Sequence, residues 1–332
     1  MQVLERTGEK LMKAIVRHSY GSSEVLKLVE TEKPAPKENQ VLIKIHAASI
    51  NSYDWRHMRA KPFLVRTNAG LFKPKDGRLG ADIAGTVEAV GGKVTLFKPG
   101  DEVYGDVSMG GYAEYVCASE KVLALKPANV SFEEAAATPM AALTALQGLR
   151  DKGKIQAGQK VLVNGASGGV GTFAVQIAKY YGAEVTGVCS TRNLKLARSI
   201  GADHIIDYTK EDFAKNGQTY DLIFDVAANR SVFTYKSLLT PKGKYVMAGF
   251  STMSHLIHIV LLGPRIAKDD QEIGLMDTAS VNQADLTFIS GLLQSRKVVP
   301  VIDKCYPLNE TPQALQYYEE EHARGKIIIS VA

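Results

Sequence analysis

The sequence predicts an α/β protein with a β-barrel-like part and a doubly wound parallel sheet. Three observations carry this. The first third of the chain is a series of short β-rich runs separated by Gly, Pro and Asn/Asp/Lys clusters. From about Val130 onward, apolar strand patterns alternate with helical ones, which is how a parallel sheet covered on both faces reads. Near mid-chain, the glycine-rich stretch NGASGGVG, Asn164 to Gly171, joins a strand to a helix.

In order, KAIVRH, VLKLVE, QVLIKIHAASI, AGTVEAV, DEVYGDV and GYAEYVCA are the early strands, spaced as in a closed or nearly closed barrel. SFEEAAATPMAALTALQGL is helical, with Ser131 as N-cap and Glu134 three residues on as its capping-box partner. Then follow strand KVLVN, helix VGTFAVQIAKYYG closing at Gly182, strand EVTGVCS and helix NLKLARSIG closing at Gly201. Strands HIID and YDLIFDVA, helix SVFTYKSLL and strand GKYVMAG complete the doubly wound pattern. After Phe250, VNQADLTFISGLLQS is an amphipathic helix. VVPVIDKCYPL, TPQALQYYEEEHARG and KIIISVA give strand, helix, strand, and read as a return of the chain to its first part. The domains are therefore 1–133 with 300–332, and 134–299. Met12 precedes the first strand, so residues 1–11 read as an appended segment.

Composition narrows the classes. The chain has 332 residues, 45% hydrophobic and 23% charged, as in ordinary globular proteins. Its formal charge is +5, but the basic residues are scattered and Arg296-Lys297 is the only adjacent Lys/Arg pair. No nucleic-acid partner is expected; small anionic ligands fit better. Cys117, Cys189 and Cys305 are too few and too dispersed for a disulfide framework or a structural metal site, and they suit a reducing compartment. MQVLERTGEK carries charges where a signal peptide needs an apolar core, and LIHIVLLG is too short to span a bilayer. The expected location is cytoplasmic.

The glycine loop is the first functional element. Read as A-x-G-x-x-G, its fixed positions are Ala166, Gly168 and Gly171, with Gly165, Ser167, Gly169 and Val170 among them. Small residues there permit a tight turn and a close approach to a pyrophosphate, and the helix start offers unpaired N–H groups to it. An NAD site would place an acid about 20 residues further on, for the ribose 2′-OH. The second strand runs into CSTRN instead, and Ser190 with Arg192 can hold a 2′-phosphate. The cofactor expected is NADPH, with Tyr208 lining its adenosine end or simply packing.

The segments KPGDEVYG, GGYAEYV, AAATPMAALTAL, VLVNGASGGVGTFAVQIAK, GADHIIDY and HARGKIII together resemble the medium-chain dehydrogenase/reductase superfamily. They look most like its zinc-free quinone-oxidoreductase branch, and CSTRN, DWR and HARGKIII like the chloroplast-envelope-type homologues and their bacterial relatives. The resemblance implies a GroES-like β-barrel catalytic domain, a Rossmann doubly wound parallel-sheet cofactor domain and a homodimer, with an edge strand of the Rossmann sheet pairing across a two-fold axis. It also implies that Thr144, Gly249 and Phe250 lie near the nicotinamide and that Lys326 reaches the cofactor. Zinc enzymes of the superfamily carry Cys in the loop after AASI and His-Glu in a later turn. Here Asn51 and Ala81-Asp82 stand at those places and the cysteine-rich lobe is missing, so no zinc is expected. His255 and His258 read as packing residues rather than ligands.

Without a Lewis acid, alcohol oxidation loses its activator, whereas hydride delivery to a conjugated carbonyl needs only positioning and donors to the developing oxyanion. The sequence points to Asn51 and Tyr53 as those donors, in the loop SINSYDWR, with Trp55 and Arg56 shaping the mouth and Asp54 a structural acceptor. The function expected is an NADPH-dependent reductase of a quinone or similar small electrophile. The alternatives are a reductase of α,β-unsaturated aldehydes and ketones or enoyl thioesters, and, in a different class, a non-catalytic NADPH-binding or nucleic-acid-binding protein. MRAKPFLVRT lacks the tyrosine that enoyl-thioester reductases of the superfamily carry there, which weighs against the thioester.

Overall fold

Strand Gln40–Ile50 alternates poorly because eight of its eleven residues are buried, which marks it as the central strand of its sheet. The computed structural model describes residues 11–250, 252–268, 270–321 and 323–331. The expectation of an appended segment therefore falls, save for Leu11, outside the described residues. Leu11 itself opens the first strand, β1 (Leu11–Val16), which pairs antiparallel with β2 (Lys27–Glu32).

The next strands are β3 (Gln40–Ile50), β4 (Asp82–Val90), β5 (Glu102–Asp106), β6 (Tyr115–Ser119) and β7 (Leu123–Leu125). Between β3 and β4 lie helices α1 (Ser52–Arg59) and α2 (Val65–Ala69). The expected loop SINSYDWR is thus a helix from Ser52 onward, with Asn51 as its N-cap. The reason is local: the Asp54 carboxylate, three residues into the segment, accepts the Asn51 backbone N–H at 2.9 Å.

The helix expected around Ser131 has its capping box, Ser131 and Glu134 exchanging backbone-to-side-chain bonds of 3.1 Å each. It is two helices, α3 (Phe132–Ala136) and α4 (Pro139–Gln147), because Pro139 has no N–H to continue α3 and instead starts α4.

The alternating region follows: β8 (Lys160–Asn164), α5 (Gly169–Tyr180), β9 (Glu184–Cys189), α6 (Leu194–Ser199), β10 (His204–Asp207), β11 (Tyr220–Asp225), α7 (Val232–Ser237), β12 (Leu239–Met247), α8 (Met253–Ile266), β13 (Glu272–Leu275) and α9 (Gln283–Gln294). The strands form one six-stranded sheet, order β10-β9-β8-β11-β12-β13, with every pairing parallel. It is the Rossmann sheet. Helix α8 and strand β13 were not legible as elements.

The chain ends with β14 (Ile302–Pro307), α10 (Thr311–Glu320) and β15 (Lys326–Ser330). β15 pairs antiparallel with the C-terminal half of β3, Ile327 opposite Ile50, while β6 pairs with its N-terminal half. The GroES-like sheet has the order β14-β15-β3-β4-β5-β7, with β6 beside β3. One core cluster fills this sheet. A second packs α4, α5 and α9 on one face of the Rossmann sheet and takes in Ala47, Ala84, Tyr104 and Ile328 of the other sheet. A third covers the opposite Rossmann face.

Candidate active site

The Rossmann strand order reverses at β8, with β9 on one side and β11 on the other. The carboxyl end of such a strand is where open α/β sheets bind ligands. The glycine loop leaves β8 there. Gly165 has φ +87°, a left-handed conformation open to glycine. A Cβ on Gly171 would lie 2.0 Å from the Gly165 carbonyl oxygen, so only glycine lets α5 start this close to the loop. Ala166 is buried, its N–H donating to Val188 at 3.0 Å. Gly168 sits at the N-cap of α5, where no side chain caps the helix. The first N–H groups of α5 are therefore available to an anion, and the cradle fits a dinucleotide pyrophosphate.

Ser190 follows β9, and its Oγ accepts from Asn193 Nδ2 at 3.3 Å; the same amide donates to Ser167 Oγ at 2.9 Å, tying the loop to the second strand. The Tyr208 N–H donates to the Cys189 carbonyl at 3.1 Å, which sets its backbone beside the end of β9, and its side chain is exposed. An acid does stand nearby, on β10 rather than at the end of β9. Asp207 accepts from Thr191 Oγ1 at 2.5 Å and Thr209 Oγ1 at 2.7 Å, and these bonds, Thr191's foremost, hold its carboxyl below the ordinary range. Its signal was visible in GADHIIDY, but its threonine partners were not.

A second centre lies at the end of β3. Asn51 Nδ2 donates to Asp82 Oδ2 at 2.9 Å, and Asn51 Oδ1 accepts from Lys326 Nζ. The Lys326 ammonium is 3.7 Å from Asp82 Oδ2 and only 3% exposed. Asp82 also accepts from Met140 N–H at 3.1 Å and Ser49 Oγ at 3.3 Å. Asp54, fully buried, bridges Asn51 N–H and Gly80 N–H; burial pushes its carboxyl up to about 6. Burial also raises Asp82 and Asp106 and lowers Lys326, each partly offset by the opposite charge beside it.

Register assembles this cluster. Asp82 lies opposite Ser49 across β3–β4 and opposite Asp106 across β4–β5. Lys326 opens β15, and its stem crosses Gly169: a Cβ there would meet Lys326 Cδ at 3.1 Å. The Gly325 N–H donates to the Ser167 carbonyl at 2.9 Å. The glycine loop and the Asn51 centre are therefore joined by two consecutive residues of the last segment.

On α1, the half-buried Tyr53 ring lies 4.0 Å from the His57 ring, and burial raises its phenol, which stays a donor. The Arg56 guanidinium sits 4.2 Å from the centre of the Phe250 ring, and its Nη2 is 3.4 Å from the Phe250 carbonyl, across the two sheets' domains. Trp55 packs beside the GroES-like core, and its Nε1 is buried without a partner. Gly249 follows β12 so tightly that a Cβ would lie 2.3 Å from the Val226 carbonyl oxygen. Thr144 is half-buried on α4, one residue from a buried wall of small side chains. His255 and His258 lie on α8, and among the described residues no three His, Cys, Asp or Glu gather as a metal site.

Residues 37–128 match the model of the alcohol dehydrogenase GroES-like domain, and 200–329 that of a zinc-binding dehydrogenase domain. The donors at the Asn51 centre do not fit zinc: an amide nitrogen and an ammonium face Asp82 where a cation would need lone pairs. The chain is 34% identical to the chloroplast envelope quinone oxidoreductase homolog of Arabidopsis thaliana, over 96% of this chain and 98% of that one. It is 38% identical to 2-methylene-furan-3-one reductase of Solanum lycopersicum, over 96% and 79%. The structure of the quinone oxidoreductase from Coxiella burnetii superposes with a TM-score of 0.86 at 31% identity, covering 97% of this chain and all of that one. On fold, site and kinship together, the chain belongs to the medium-chain dehydrogenase/reductase superfamily, in its quinone-oxidoreductase branch, and is an oxidoreductase.

Proposed function

We propose that the protein is a zinc-independent reductase that uses NADPH to reduce a quinone or a similar electron-poor conjugated carbonyl. The observation that carries the reading is the join just described. The glycine loop at the head of α5 and a buried cluster of hydrogen-bonding side chains meet through Gly325 and Lys326.

NADPH, when bound, supplies the hydride. The protein's own part is to hold it and to receive charge. The uncapped N–H groups of α5 take the pyrophosphate over Gly165–Gly171; Ser190 and Arg192 take the 2′-phosphate, with Tyr208 at the adenosine end. Thr144, Gly249, Phe250 and Lys326 shape the nicotinamide end. Asn51 and Tyr53 donate to the acceptor oxygen as negative charge develops there, and Trp55 and Arg56 form the mouth. A conjugated acceptor spreads that charge, so hydrogen-bond donors suffice where an alcohol dehydrogenase needs a Lewis acid.

The relatives' names support two acceptor classes, quinones and conjugated ketones such as 2-methylene-furan-3-one. The test is NADPH consumption with an ortho-quinone and an α,β-unsaturated ketone side by side, NADH as cofactor control. Quinone turnover preferring NADPH supports the reading; ketone turnover alone moves it to enone reduction. Tight NADPH binding with neither acceptor reduced sinks it. The same reading takes the molecule as a cytoplasmic homodimer: three free cysteines suit a reducing compartment, and edge strand β13 has β12 as its neighbour on one side. Sedimentation tests the dimer.

A further inference from the structure

We propose that Lys326 and Asp82 are positioning residues that hold the Asn51 amide in a single orientation, making its second Nδ2 hydrogen a fixed donor to the oxygen of the acceptor. The proposal rests on the reductase reading above and names the device by which that site receives an oxyanion.

A carboxamide is nearly symmetric in shape, so its orientation is set by what faces each end. Here the two ends face opposite charges. Lys326 has donors and no acceptor, and it meets Asn51 Oδ1; the Asp82 carboxylate accepts, and it meets Asn51 Nδ2 at 2.9 Å. Turning the amide over would set NH₂ against an ammonium and a carbonyl oxygen against a carboxylate, both in a buried site where mismatched polar groups are costly. One Nδ2 hydrogen goes to Asp82, and among the described residues no acceptor takes the other.

Each member is itself fixed. Asp82 is held by Met140 N–H and Ser49 Oγ. The Asn51 backbone is held through Asp54 to Gly80 N–H. The Lys326 backbone N–H donates to Val301 at 2.8 Å, and its stem lies on Gly169. Preorganisation of this kind separates an effective oxyanion donor from an ordinary asparagine. It also gives Gly169 a second duty: the lysine reaches Asn51 across the space a side chain there would take.

The experiment measures p-nitrophenolate binding to protein saturated with NADP⁺, alongside quinone turnover and NADP⁺ affinity. The variants are Lys326→Met, Asn51→Ala, their combination, Lys326→Arg, and the charge-paired replacement Asp82→Asn/Lys326→Met, which guards against a misfolded single variant. Loss of one such donor is expected to weaken phenolate binding and kcat by roughly tenfold or more. Lys326→Met and Asn51→Ala should each show that loss, the combination should add nothing, and Lys326→Arg should recover part of it. NADP⁺ affinity is read separately because Lys326 also stands at the nicotinamide end, and it should fall by less than phenolate binding does.

Weakened NADP⁺ affinity with unchanged phenolate binding would leave Lys326 a cofactor contact alone and overturn the proposal. So would independent losses in the combined variant, or no phenolate binding by the parent. A parent that couples phenolate to Lys326 and Asn51 but reduces neither acceptor would sink the reductase reading and leave the oriented donor standing.

Discussion

On the NADPH reading proposed above, Arg192 is the residue on which the cofactor preference turns, because the end of β9 offers serine, threonine and arginine where an NAD site offers an acid. Arg192→Ala should cost NADPH roughly tenfold to a hundredfold in kcat/KM, the scale of a hydrogen bond to a charged group, and leave NADH nearly unchanged. Equal losses for both cofactors would remove the 2′-phosphate role. Asp54 makes a second prediction. Its folded carboxyl titrates near 6 against 3.8 for the ordinary group, so between those values the folded chain keeps a proton that the unfolded chain has released. Stability therefore falls as pH rises through that window. Burial of Asp82 and Asp106 acts in the same sense. Asp54→Asn should flatten the slope of the urea midpoint between about pH 4 and 6; an unchanged slope would show that Asp54 does not carry it. The glycine loop was legible because a loop motif is local in sequence. The carboxylates around Asn51 were legible only singly: Asp54, Asp82 and Asp106 are brought together by strand register, which no spacing in the chain announces.

At the scale of elements, α5 and its loop act as one piece, and Gly171 is where the piece is closed. Gly171→Ala would push a methyl group to 2.0 Å from the Gly165 carbonyl, so α5 must back away from the loop. NADPH affinity should fall by at least tenfold and thermal stability with it, as for other forced overpacking; an NADPH titration and a melting curve read both. Ala166→Gly, by contrast, keeps the backbone bond to Val188 and removes only the methyl that faces Gly187 on β9, so it should soften the loop without displacing it. Strands and helices that alternate through the Rossmann region were legible from period alone. Helix α8 was not, because its apolar residues lie on both faces: Ile259 is buried against β13's side of the sheet, while Met253, Ile257, Val260 and Leu261 are exposed. A helix without a polar face has no period to detect. Helix α1 was missed for a different reason: its polar residues look like a turn until Asp54 is seen capping its start.

At the scale of the molecule, the two sheets are joined at several places along their boundary, three of which frame the site. Gly325 bonds to Ser167, Tyr104 Oη donates to the Leu286 carbonyl at 3.0 Å, and Arg56 stacks on Phe250. The cofactor loop belongs to one sheet and the Asn51 centre to the other, so binding across them should couple their stabilities. Saturating NADPH should raise the melting temperature of the whole chain in one transition, more than NADH at equal concentration; two separate transitions would mean that the sheets melt independently. Trp55, the sole tryptophan of the 332 residues, sits next to Arg56 and should report the same event as a quenching of emission. That β15 completes the first sheet has a consequence for synthesis. β15 lies between β14 and β3, and Gly325 just before it is stitched to the glycine loop. While the ribosome still holds residues 325–330, half of β3 lacks one neighbour, and the loop after β8 lacks its stitch. The nascent chain thus carries an open strand edge and an unfinished glycine-loop cradle until residues 325–330 have emerged, so both close in the same step.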